Sequence, residues 1–367
     1  MPTTDSPQLR ELVAAFDGER PLASAETPPS AWYTDADLYA LEKRSVFERS
    51  WQYVGLVDWV KEVGQYFAVD LGHEPVLIAR TSDGIVALSN VCRHRGGPLV
   101  REGTGRATSW SCLYHGWNYA LDGRLRKAPE FEDVAGFDRA CVRLPRWRVA
   151  QMGPFLFVCA SEDTEPLDAF APGLTDLITE LRPEQLVHAE RRVYSVACNW
   201  KVFVDNYLDG GYHVPVLHPG LSGSLDYARY HCTLHEGWNL QHAPMRPGEA
   251  GEVRSGEAAH YIWAWPNWMF NAYEGVLDIN WVRPRGVARC EVIFDYFFAP
   301  GTEEAFIKDS LRIAEQVQEE DREICEAVQR GLESSHYDVG RYSVRRENGD
   351  HQFHQLLARA LRKGLDD

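Results

Sequence analysis

The sequence predicts an α+β protein in two parts: a small all-β domain toward the N-terminus, then a larger domain with a mainly antiparallel sheet and flanking helices. Three observations carry that reading. Residues 51–160 consist of short β-branched and aromatic runs cut by turn signals. Residues 187–298 repeat the texture with longer aromatic-rich runs, and residues 302–332 hold one apolar stripe at helical spacing. Length and composition agree, because 367 residues with 44% hydrophobic and 25% charged side chains suit two or three compact units and exclude a disordered or fibrous chain.

Residues 1–30 are polar, close on Thr27-Pro28-Pro29-Ser30, and read as an N-terminal arm. Residues 31–50 read as a leading helix, with Leu38, Leu41 and Phe47 at helical spacing. Residues 51–160 are the all-β domain, with runs at 66–69, 75–79, 85–91, 117–120 and 155–158 and hairpin-type turns at Asp83-Gly84 and Asp122-Gly123. Residues 161–367 are the second domain. There, 167–181 reads as helix, 187–196 as strand, and 199–208 as a short helix stopped by Gly210-Gly211. Strands are expected at 259–265, 268–273, 277–282 and 289–298. The long helix over 302–332 takes Thr302 as its N-cap, with Glu303 and Glu304 in the first turn.

Charge and apolar content exclude several classes. The formal charge of −16 opposes binding to nucleic acid or to an anionic membrane. No apolar stretch reaches the roughly 20 residues a membrane span needs. The N-terminus shows neither a signal-peptide core nor a basic transit pattern, so a cytoplasmic location is expected. Eight cysteines are too sparse for a disulfide scaffold. Six of them (Cys141, Cys159, Cys198, Cys232, Cys290 and Cys325) read as core.

The other two sit beside histidines. Cys92-Arg93-His94 is followed, after 17 residues, by Cys112-Leu113-Tyr114-His115. Two such pairs suit one Zn²⁺, or a [2Fe-2S] cluster with two thiolates and two imidazoles. The single spacer between Cys92 and His94 turns their side chains apart, which favours two iron atoms over one tetrahedral ion. Arg95-Gly96-Gly97-Pro98 and Gly116-Trp117 supply tight turns and a bulky cover.

A second constellation spans residues 205–218, where Asp205, Asp209, His213 and His218 lie within fourteen residues. Two imidazoles lack one carboxylate to form the 2-His-1-carboxylate triad of non-haem Fe(II) oxygenases. Ile307, Leu311, Ala314, Val317, Ile324, Val328 and Leu332 make the stripe of the long helix, and Asp321 falls inside it while Glu319, Glu320, Glu323 and Glu326 point elsewhere. An acid facing a core is costly unless it is paired or bound to metal. Taken alone, pairing with a buried Arg or capping weighs as much as metal binding; the upstream histidines tip the balance toward a ligand.

The first motif resembles the Rieske iron–sulfur signature, and residues 205–218 resemble the catalytic signature of Rieske non-haem iron oxygenase α-subunits. Asn199-Trp200-Lys201-Val202-Phe203, Phe294-Asp295-Tyr296-Phe297 and residues 325–334 look specifically like plant-type choline monooxygenase and its bacterial relatives. The resemblance covers about residues 32–361. It implies an N-terminal Rieske [2Fe-2S] domain and a helix-grip-like catalytic domain. Cys92 and Cys112 would bind one iron of the cluster, His94 and His115 the other, and His213, His218 and Asp321 would bind mononuclear Fe(II). It further implies O₂ as co-substrate, a separate reductase or ferredoxin as electron donor, and a homotrimer in which one subunit's cluster serves the next subunit's iron.

The reaction implied is hydroxylation of choline to betaine aldehyde hydrate; another amine (betaine or carnitine) or an aromatic compound is the alternative. In ring dioxygenases an Asp three residues before the first ligand His bridges to the neighbouring Rieske centre. Here that position is Gly210, so Asp209, with Asp205 as its rival, is expected to relay. Trp263, Trp265, Trp268, Phe270, Tyr273 and Trp281 crowd the strands expected to wall the pocket, where aromatic faces would hold a quaternary ammonium by cation–π attraction. Two or three of these six are expected to touch the ligand. An electron-transfer protein without catalysis and a zinc-binding interaction protein are the rival classes.

Overall fold

The structure, a computed structural model, describes residues 7–223, 225–246 and 257–367. It divides into two compact units, Glu48–Pro166 and Met1–Phe47 with Leu167–Asp367.

The smaller unit contains β1 (Gln52–Leu56), β2 (Gln65–Asp70), β3 (Pro75–Thr81), β4 (Gly84–Ser89), β5 (Gly103–Arg106), β6 (Trp110–Ser111), β7 (Asn118–Tyr119), β8 (Leu125–Lys127), β9 (Arg146–Met152) and β10 (Phe155–Cys159). Seven of them pair antiparallel in the order β1-β10-β9-β4-β3-β2-β5. The β3–β4 hairpin turns through Ser82-Asp83, one residue earlier than Asp83-Gly84, because Thr81 pairs with Gly84. A second, three-stranded sheet, β6-β7-β8, supports the loops of the Cys/His motif. Leu77, Leu88, Leu99, Trp110, Trp117 and Tyr119 form a common core with Cys92 and Cys112.

In the larger unit the first described residues are not an arm. Helix α1 (Pro7–Ala14) buries Leu9 and Val13. Phe16 packs edge-on against Trp32 at 5.5 Å, and the Trp32 indole donates to Leu12 O at 3.0 Å. Residues 1–6 of the expected arm lie outside the described residues. The leading helix is three pieces: α2 (Ala31–Thr34), α3 (Ala36–Glu42) and a π-helical turn over Lys43–Phe47. Asp35 restarts the helix by accepting from the backbone N–H of Asp37 and Leu38 at 2.8 Å.

Residues 167–181 also form two helices, α4 (Leu167–Phe170) and α5 (Leu174–Leu181), because Gly173 takes a left-handed φ of 80°. The sheet follows: β11 (Val187–Val196), β12 (His231–His235), β13 (Trp238–Pro244), β14 (Ala258–Ala264), β15 (Trp268–Tyr273), β16 (Val276–Gly286) and β17 (Arg289–Phe298), ordered β11-β17-β16-β15-β14-β13-β12 and antiparallel throughout.

Between β11 and β12 run α6 (Trp200–Leu208), α7 (Val214–Leu217) and α8 (Pro219–Ser222). Helix α6 is capped by the Asn199 side chain, which accepts from Lys201 N at 3.1 Å. Trp200 and Lys201 both reach Glu42, and that buried pair ties α6 to α3. Removing one member would cost roughly 3–5 kcal/mol, because the other would be left as an unpaired buried charge.

The chain closes with α9 (Glu304–Leu332) and α10 (Asn348–Asp366). Thr302 is not the N-cap: its hydroxyl donates to Ala299 O at 2.7 Å, and Glu303 occupies the cap position. The packed face of α9 also differs from the apolar stripe. Leu311, Gln318, Cys325 and Gln329 are buried, whereas Ile324 and Val328 are 38% and 44% exposed. Amide and thiol side chains take places that hydrophobicity alone assigns to Ile and Val.

Candidate metal centres

The two Cys/His segments of the smaller unit fold into matched turns. Cys92 N–H donates to Gly97 O at 2.8 Å and Gly96 N–H to Cys92 O at 3.0 Å; Cys112 N–H donates to Trp117 O at 2.8 Å and Gly116 N–H to Cys112 O at 3.1 Å. In each turn the glycine four residues after the cysteine is left-handed, at φ 70° and 69°. Leu113 N–H bonds to Pro98 O at 3.0 Å and holds the loops side by side. The His94 and His115 rings come within 4.8 Å, and Trp117 stacks on His94 at 5.0 Å and 6°.

Two details fit a cluster here. The Nδ1 atom of His94 is buried with no hydrogen-bond partner, which suits a ligating nitrogen. A Cβ at Gly97 would sit 3.0 Å from Cys112 Sγ, so only glycine leaves the sulfur accessible from that side. Burial pushes the Cys92 thiol up even though Tyr119 Oη lies 3.2 Å from its sulfur. Metal ligation is the usual way such a thiol becomes a thiolate.

The second centre lies where α6 ends. Gly210 adopts φ 65°, and a Cβ there would fall 2.3 Å from Arg346 O, so glycine is required for the chain to turn toward His213. His213 is the N-cap of α7 and His218 its C-cap. Asp321 reaches them from α9, and one ligand atom from each of the three residues lies within 4.8 Å of the others. That separation is near twice a metal–nitrogen bond of roughly 2.1 Å. The three residues could together hold a metal ion.

Each of the three side chains is held by a neighbour. Asp209 Oδ2 contacts His213 Nδ1 at 2.7 Å, Glu320 Oε2 contacts His218 Nδ1 at 2.6 Å, and the Asn206 amide donates to Asp321 Oδ1 at 2.8 Å. Occupied Nδ1 atoms leave Nε2 to ligate. Burial works against a charged His218, but Asp321 and Glu320 outweigh it and hold its pKa above the ordinary value. Asp205, the rival relay, is engaged elsewhere: Tyr33 Oη donates to it at 2.8 Å and His354 Nε2 lies 3.1 Å away. Sequence reasoning missed Glu320, because helical phase places it off the apolar stripe.

A cavity of about 110 Å³ opens on His213, His218 and Asp321. Its aromatic wall is Phe203, Tyr207, Tyr230, Tyr261, Tyr273, Phe294 and Tyr296, with Asn206, Asn271, Asn280, Gln318 and Asp278 between the rings. Of the six aromatics expected from the sequence, only Tyr273 lines it. Trp268, Phe270 and Trp281 lie on the opposite face of the sheet, because neighbours along a strand alternate faces and Asn271, Tyr273, Asp278 and Asn280 take the cavity side. Trp263 and Trp265 instead pack on Phe353 of α10, at 5.6 and 6.0 Å. The buried polar residues in these strands were the better signal.

The Rieske [2Fe-2S] domain profile matches residues 50–138, and that of the ring hydroxylating alpha subunit (catalytic domain) matches residues 183–363. Choline monooxygenase, chloroplastic, of Arabidopsis thaliana is 41% identical over 96% of this chain and 87% of its own length. The carnitine monooxygenase oxygenase subunit of Escherichia coli (strain K12) is 32% identical over 92% of this chain and 94% of its own. A solved quaternary ammonium Rieske monooxygenase, described in terms of carnitine oxidation by gut microbiota and inter-subunit electron transfer, superposes with a TM-score of 0.84. It is 29% identical and covers 92% of this chain and 95% of that one.

Proposed function

Because the chain belongs to the Rieske oxygenases, an enzyme family with a Rieske [2Fe-2S] cluster and a mononuclear iron, we propose that it hydroxylates a quaternary ammonium alcohol, choline, to betaine aldehyde hydrate. The observation that carries the substrate is the cavity wall: seven aromatic rings around a buried carboxylate, Asp278. Aromatic faces attract a methylated ammonium without hydrating it, and an acid in the wall disfavours a substrate carboxylate. Among the described lining residues there is no Lys or Arg to receive the carboxylate of betaine, carnitine or benzoate.

When bound, the two iron groups supply single electrons and a site for O₂ reduction. One oxygen atom enters the product and the other leaves as water, with two electrons and two protons consumed. His213, His218 and Asp321 would hold the mononuclear iron, and Cys92, Cys112, His94 and His115 would hold the cluster. Asp209 fixes His213, and we assign to it, rather than to Asp205, the relay toward a neighbouring subunit's cluster. Asn206 restrains Asp321, so its free oxygen keeps one direction. Phe203, Tyr230 and Phe294 keep water from the reacting carbon.

The electron donor in this reading is a separate reductase or ferredoxin. The assembly in this reading is a homotrimer; the inter-subunit transfer described for the solved relative supports an oligomer. A reducing, cytoplasmic location agrees with eight cysteines that form no disulfide. No described helix is long and apolar enough to cross a membrane.

The test is turnover of anaerobically reduced enzyme on admission of O₂, against choline, betaine, carnitine and benzoate. Choline consumed with stoichiometric O₂ supports the reading. Turnover of carnitine or benzoate in preference to choline overturns it.

A further inference from the structure

We propose that Asp278 is the counter-ion that seats the substrate's ammonium head, and that it selects cations lacking a carboxylate of their own. This rests on the quaternary ammonium reading of the cavity and deepens it by assigning to Asp278 the seat of the ammonium head. Asp278 is 6% exposed and lines the cavity from near the start of β16. Strand register puts it in one cross-strand row: Tyr261 opposite Asn271, Asn271 opposite Asp278, Asp278 opposite Tyr296. Side chains so placed lie about 5 Å apart on one face, so the acid sits beside Tyr296, with Asn271 between it and Tyr261.

Two amides help to hold the carboxylate in place. Its Oδ1 accepts from the Asn271 amide at 2.7 Å and from the Asn280 amide at 2.8 Å. The Asn271 carbonyl in turn accepts from Tyr207 Oη at 2.6 Å, which fixes the amide with its N–H₂ toward the acid. Amide donors stabilise the ionised form without cancelling its charge. That charge is felt in the wall: burial first, and then Asp278, push the Tyr207 and Tyr296 hydroxyls up. A trimethylammonium group has no N–H to donate, so attraction to it must come from such a fixed charge and from ring faces. A carboxylate on the same substrate would meet the charge of Asp278 in a cavity of about 110 Å³.

The test is calorimetric binding to the oxidised holoenzyme of choline, of betaine, and of 3,3-dimethyl-1-butanol, the uncharged isostere of choline. Wild type is expected to bind choline tightest. Asp278→Asn is expected to lose about tenfold or more in choline affinity while its affinity for the isostere stays within about twofold. Asp278→Glu, which keeps the charge, is expected to restore the preference for choline over the isostere. Choline binding to Asp278→Asn within about twofold of wild type overturns the assignment and leaves the quaternary ammonium reading standing. No choline binding by wild type overturns both. Should the variants fail to fold, as judged by circular dichroism, the wild-type series decides: betaine or the isostere binding as tightly as choline overturns the proposal.

Discussion

Glu320 and Asp321 are neighbours on α9 with different relations to His218: Asp321 Oδ1 lies 3.1 Å from its Nε2, and Glu320 grips its Nδ1. Gln316 donates to the other oxygen of Glu320 at 3.0 Å and holds it in place. Asp321 was readable from the sequence because an acid inside an apolar stripe calls for a partner. Glu320 was not, since its role depends on where a histidine 102 residues away turns its ring. Replacing Glu320 with Ala is expected to weaken metal binding by about 10–100-fold, with Glu320→Gln intermediate. Titration of the iron-free protein with Co²⁺, followed by absorbance, measures it; unchanged affinity in both variants would show that His218 is oriented by packing alone.

Strands explain both the success and the failure of the element assignments. The runs at 187–196, 268–273 and 289–298 appear with those boundaries, because β-branched and aromatic content over that length has few other solutions. Which face meets the cavity was decided instead by polar residues of one parity, which aromatic counting overlooked. The same alternation places Asp295 of β17 away from the cavity, fully buried, where Arg191 clamps both its oxygens at 2.9 and 2.6 Å and His188 approaches at 2.9 Å.

Burial would raise the Asp295 carboxyl, but His188 and Arg191 outweigh that and hold it below the ordinary carboxylate value. Its contribution to stability is therefore whole above the unfolded value of about 3.9 and is lost as the pH falls through the lower folded value. Asp295→Asn should destabilise the protein by roughly 3–5 kcal/mol at neutral pH, since it breaks a buried pair. In urea unfolding the difference from wild type should narrow as the solution is acidified. A difference that stays constant down to about pH 3 would contradict the ion-pair account.

At the scale of the whole chain, two motifs whose nearest histidines, His115 and His213, are 98 positions apart in sequence fall in separate compact units. Short-range spacing revealed both motifs, because loops that hold metal use ligands close in sequence. The closure of the larger unit was hidden. Leu9, Val13 and Phe16 are too few to announce a packed segment, and α10, whose Phe353, Leu357 and Leu361 complete that core, drew no expectation. Long-range packing of weakly apolar pieces has no local signature.

Independence of the two iron centres is tested most directly by counting iron and acid-labile sulfide per chain in wild type, Asp321→Ala and Cys112→Ser. Wild type should hold about three iron and two sulfide, Asp321→Ala about two of each with the visible spectrum kept and turnover abolished, and Cys112→Ser about one iron and no sulfide. Zinc in place of iron, or loss of all iron from either variant while the protein stays folded, would contradict the account.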